Sequence, residues 1–109
     1  MGLFKKKKSA DKTIEDRELV EFNSDSISTL LVFTENNEQL TSQLKDLQDT
    51  LKYLIPSSKS EIMDYDKKIK NKIGDLKIAL TKSDGETSSK ATDALQEIKI
   101  AISERNTRL

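Results

Sequence analysis

Residues 30–54 read LLVFTENNEQLTSQLKDLQDTLKYL, and their spacing decides the fold class. Leu30, Phe33, Asn37, Leu40, Leu44, Leu47, Leu51 and Leu54 follow one another in alternating steps of three and four residues. That is the a/d spacing of a helix with one buried seam, whereas a strand would alternate every second residue. Pro56 closes the pattern, because its ring disfavours helical backbone at Ile55. Ser24 and Asp25 supply side chains suited to an N-cap upstream. One long helix over about 25-55 is therefore expected. Its first part, Ile27 to Phe33, is apolar on more than one side.

The neighbouring segments repeat the logic. Ile62, Tyr65, Ile69, Ile73, Leu76 and Leu80 form a stripe of period close to 3.6, which fits a straight helix over about 59-82. Ser58 or Ser60 is its expected cap. Gly74 lies inside it and reads as the close approach of a neighbouring helix. Ser83-Asp84-Gly85-Glu86 is a turn in which Gly85 takes a positive φ. Ala91, Leu95, Ile98, Ile102, Arg105 and Leu109 then mark a helix over about 88-107, capped by Thr87 or Ser88. Thr13 and Asp16 stand at capping-box-like spacing, so a short extra helix is expected over about 13-22. The fold class is all-α: a three-helix bundle, or a coiled-coil-like helical hairpin plus a third helix, with a short N-terminal addition. Residues 1-12 read as a basic disordered tail and residues 13-109 as the bundle.

Composition agrees and narrows the function. The chain has 109 residues, with no Cys, His or Trp and no net charge. Disulfides, thiol catalysis, a Cys/His zinc site and histidine acid–base chemistry are excluded. Leu, Ile, Val and Phe supply about a quarter of the residues, enough for a thin core, and Val is almost absent. Charge is segregated. Residues 1–8 carry four lysines, residues 9–57 carry ten acids against four bases, and residues 58–82 carry seven bases against four acids. Opposite signs on consecutive segments favour a hairpin between them.

Catalysis is the poorest reading. Asp64 and Asp66 form a D-x-D, but Lys67, Lys68 and Lys70 follow in place of further oxygen ligands, so the pair reads as a solvated helix face. Asp84, Gly85 and Glu86 are explained by turn chemistry alone. No phosphate loop, dinucleotide fingerprint or nucleophile elbow occurs. A non-enzymatic protein with no cofactor and no metal is expected. Lys67, Lys68, Lys70, Lys72 and Lys77 scatter around their helix, which disfavours nucleic acid as a partner.

Two features point to binding. The long helix exceeds its neighbours and leaves Leu30, Leu31, Val32 and Phe33 for another surface. Asn37 occupies a seam position where a polar residue either sets register or partner number or marks a solvent-exposed end of the bundle. These five residues are the expected self-association site of a homo-oligomer. The N-terminal octamer MGLFKKKK is the second feature. Gly2 invites lipidation, but Lys6 stands where that pattern wants Ser or Thr. Leu3, Phe4, Lys5, Lys6, Lys7 and Lys8 instead read as a weak contact with an anionic membrane surface, at about 1 kcal/mol per lysine. The leading expectation is a small cytoplasmic helical protein that binds another protein or itself. A peripheral membrane adaptor at the inner face of a membrane is the alternative, and a nucleic-acid-associated protein a distant third.

Overall fold

The computed structural model describes residues 9–109. They form four α-helices: α1 (Ser9–Leu30), α2 (Glu38–Lys52), α3 (Ser60–Lys82) and α4 (Ser89–Asn106). A short 3-10 turn, Leu31–Thr34, follows α1, and there is no strand among the described residues. The all-α bundle is thus present, with its first two helices divided differently from the sequence expectation. The segments expected at 13-22 and 25-55 regroup as α1, the 3-10 turn and α2. The tail expected over 1-12 gives way to helix from Ser9.

The reasons are local. Ser24 and Asp25 do not cap a helix. The nearby hydroxyls bond backward instead, Ser26 Oγ to the Phe22 carbonyl at 2.8 Å and Thr29 Oγ1 to the Ser26 carbonyl at 2.7 Å. Such back-bonding lets a hydroxyl sit inside a helix. Asn23 and Ser24 are buried, and the Asn23 amide donates to the Asp66 carbonyl at 3.0 Å. The break falls after Leu30 instead. Thr34 accepts the Asn37 N–H at 2.9 Å and the Thr41 hydroxyl at 2.7 Å through its carbonyl, and Asn37 adopts extended backbone.

Consecutive helices pair as two hairpins. α1 packs on α2, α3 packs on α4, and α1 joins the two by packing on α3. The acidic and basic segments 9–57 and 58–82 therefore meet through α1. Ion pairs at the surface among the described residues include Lys72–Glu97 at 2.9 Å between α3 and α4, and Arg108–Glu61 at 3.4 Å. A single core runs through both hairpins, built from Val20, Ile27 and Leu30, the α2 seam Leu40, Leu44, Leu47 and Leu51, and the stripes of α3 and α4. At about 25 cal/mol per Å² of apolar area buried, each core leucine contributes roughly 1.5–3 kcal/mol. Ala91, Ala94 and Ala101 allow α4 to approach closely.

The two internal glycines behave differently. A Cβ on Gly74 would meet nothing within 4 Å, so the close helix approach expected there is absent and Gly74 lies on an exposed face of α3. Gly85 has φ +79°, and a Cβ there would lie 1.9 Å from the Phe33 carbonyl oxygen. It ends α3 in a Schellman turn. The Gly85 N–H reaches the Leu80 carbonyl at 2.9 Å and the Asp84 N–H reaches Thr81 at 3.3 Å, with Asp84 itself left-handed at φ 54°. No described helix is long and apolar enough to cross a membrane.

Candidate functional site

Two constellations stand out, one at each end of the bundle. The first is a buried polar cluster. Arg105, on the apolar stripe of α4, projects between α1 and α3. Its Nε donates to Asp66 Oδ1 at 2.7 Å and its Nη2 to Asp66 Oδ2 at 3.2 Å. The same Nη2 reaches Asp16 Oδ2 at 3.4 Å and the Ile55 carbonyl at 2.7 Å. The Ser57 N–H donates to Asp16 Oδ2 at 2.8 Å. Asp16, Asp66 and Arg105 are 0 % exposed, so three helices and the linker between α2 and α3 converge on one guanidinium.

This overturns the reading of Asp66 as part of a solvated face. Asp64 is exposed as expected, while Asp66 lies between Ile62 and Ile69 on the inward stripe. The signal was present in the sequence: Asp66 shares helical spacing with two isoleucines, and Arg105 already sits on a stripe. Nothing in the spacing linked either one to Asp16, which lies 89 residues from Arg105.

The charges do not balance, because two carboxylates face one guanidinium. Burial pushes the Asp66 carboxyl up to about 7, helped by the neighbouring Asp16 carboxylate and opposed by Arg105. Asp16 Oδ1 and Arg105 Nη1 are buried without a hydrogen-bond partner among the described residues. Closed to solvent, the three side chains hold the helices in register. They present no surface to a substrate.

The second constellation is the corner where the 3-10 turn meets the turn between α3 and α4. Asn37 holds it together. Its Oδ1 caps α2 by accepting the Leu40 N–H at 3.1 Å. Its Nδ2 donates to the Gly85 carbonyl at 3.3 Å and to Thr87 Oγ1 at 3.1 Å. Asn37 is therefore a cap and a cross-turn clamp, not a polar residue inside a continuous seam as its spacing suggested. The Leu40 and Leu44 register continues from it because an N-cap precedes the first apolar residue of a helix by about one turn.

The other residues expected to self-associate divide here. Leu30 is buried in the core, and Leu31 packs against it half-buried. Val32 is 69 % exposed and Phe33 37 %. They border a groove of about 320 Å³ that Glu35, Asn36, Asn37, Asp84, Gly85 and Glu86 also line. None of the lining residues is basic. The carboxylates of Glu35, Asp84 and Glu86 have no ion-pair partner among the described residues.

Leu3, Phe4 and Lys5 to Lys8, expected at a membrane surface, lie outside the described residues. Lys67, Lys68, Lys70 and Lys77 are exposed, and Lys70 stands over the Phe22 ring at 4.8 Å. Among the described residues no group of acids is placed to hold a metal ion. No family model, no curated protein and no solved structure matches the chain.

Proposed function

We propose that the chain is a non-enzymatic helical module that binds protein through the corner formed by Val32 and Phe33. The observation that supports this most is the exposure of two adjacent apolar side chains on a corner whose backbone is clamped. Asn37 ties the turn to Gly85 and Thr87, and Gly85 packs against the Phe33 carbonyl. A pre-ordered apolar surface binds with little further loss of conformational entropy. The buried acids favour the same reading, since the paired carboxylates that would suggest chemistry are enclosed among the helices.

The test is a photo-crosslinking residue introduced at position 32 in the full chain, in its native cell. Discrete protein adducts that disappear with Phe33→Ser are expected. No adduct, or adducts indifferent to Phe33→Ser, would remove the interaction reading.

A further inference from the structure

We infer that the Val32–Phe33 corner receives residues 3–8 of a second copy of this chain, with Leu3 and Phe4 on the apolar pair and Lys5 to Lys8 on the acidic rim. This rests on the interaction reading above and names its partner.

The first argument is complementarity. The corner joins two apolar side chains to three unpaired carboxylates, Glu35, Asp84 and Glu86, with no basic residue among those lining the groove. The octamer joins two apolar side chains, Leu3 and Phe4, to four consecutive lysines. Each supplies what the other lacks.

The second argument is reach, and it decides between the same chain and another. α1 runs from Ser9 to Leu30, and at 1.5 Å rise per residue it places Val32 roughly 35 Å from Ser9. The five residues from Phe4 to Ser9 extend at most about 18 Å, and the whole octamer at most about 29 Å. A tail therefore cannot occupy its own corner. The occupant is the tail of a neighbour, and tail and corner sit at opposite ends of α1. Such a contact is heterologous: it propagates head to tail or closes into a ring. With lysines and exposed carboxylates at its rim it weakens as salt is added, because screening acts over roughly 8–10 Å.

Sedimentation of the full chain over a concentration series at low and high salt tests this, with two charge-reversed variants. The corner variant is Glu35→Lys with Glu86→Lys. The tail variant carries Lys5→Glu, Lys6→Glu, Lys7→Glu and Lys8→Glu. Glu35 and Glu86 are exposed, and an unchanged helical circular dichroism spectrum verifies the fold.

The parent should form species larger than a dimer at low salt and dissociate at high salt. Either variant alone should associate at least about tenfold more weakly, the scale set by like charges at a rim. An equimolar mixture of the two should assemble again, because each tail then meets a corner of opposite sign. A parent that stays monomeric at high micromolar concentration and low salt overturns the inference, as does association indifferent to either variant or a mixture that fails to recover. A monomeric parent that binds anionic but not neutral vesicles assigns the tail to lipid and overturns it too. If the Phe33-dependent adducts at position 32 persist with a different protein, the interaction reading stands without this partner. If they are also absent, both fall together.

Discussion

Replacing Asp66 with Asn should remove a pH dependence of opposite sign to the one a buried ion pair usually confers. The Asp66 carboxyl is raised from 3.8 to about 7, first by burial and then by the neighbouring Asp16 carboxylate. A group whose folded value is raised binds its proton more tightly in the folded chain. Between about pH 4 and pH 7 the native state therefore holds more protons than the unfolded one, and stability falls as pH rises through that window. A separation of about three units corresponds to about 4 kcal/mol, present below pH 4 and lost above pH 7. Asp66→Asn keeps the size of the side chain and an oxygen to accept from Arg105 Nε, and it removes the titration.

The assay is urea unfolding of parent and variant at pH 4 to 8. Ordinary surface carboxylates titrate alike in both proteins and cancel in the difference. The stability of Asp66→Asn relative to the parent should rise by roughly 4 kcal/mol from the acid to the alkaline end. A difference that stays constant with pH would show that Asp66 does not hold the proton. A difference that falls with pH would show that Arg105 dominates and lowers the carboxyl.

Arg105→Met should destabilise the fold by about 3–5 kcal/mol near neutral pH, because it leaves Asp16 and Asp66 buried without their cation; chemical unfolding reads it, and a neutral result would place the guanidinium outside the fold's stability. Gly85→Ala should lower the melting temperature by several degrees, since its Cβ would collide with the Phe33 carbonyl at a positive φ. Gly74→Ala should raise it, by up to about 1 kcal/mol of stability, as expected for an open helical position. Equal shifts at the two glycines in a thermal scan would contradict the packing described for both. Leu44→Ala should cost on the order of 2–5 kcal/mol as a buried seam residue; an unfolding midpoint equal to the parent's would mean that the seam faces water.

Spacing alone was sufficient for the helical class and for most of the core. Leu40, Leu44, Leu47 and Leu51 are buried as the seam required, and so are Ile62, Ile69, Ile73, Leu76 and Leu80 on the second stripe. These positions were legible because helical periodicity is a local property, and each residue reports its own face. Ser88 capping α4 and Gly85 ending α3 were legible for the same reason, since the bonds involved span three and five residues.

What the tertiary structure decided was non-local. The division between α1 and α2 depended on whether the hydroxyls of residues 24–29 and of Thr34 turned inward or capped. That choice followed the burial of Asn23, whose amide reaches the Asp66 carbonyl of α3. Asn37 keeps a heptad step in either arrangement, so its spacing did not separate a seam residue from an N-cap. Asp66 read as solvated and Asp16 as half of a capping box in sequence, because a charge is tolerated inside only when its partners are present. Those partners arrive from three helices and a linker. The acid-rimmed corner likewise exists only once the turn at Leu31–Thr34 meets Asp84 to Glu86, about fifty residues later. A pattern of period 3.6 states which face of a helix is buried. It does not state which other helix buries it, and the Asp16–Asp66–Arg105 cluster and the Asn37 corner both depend on that second choice.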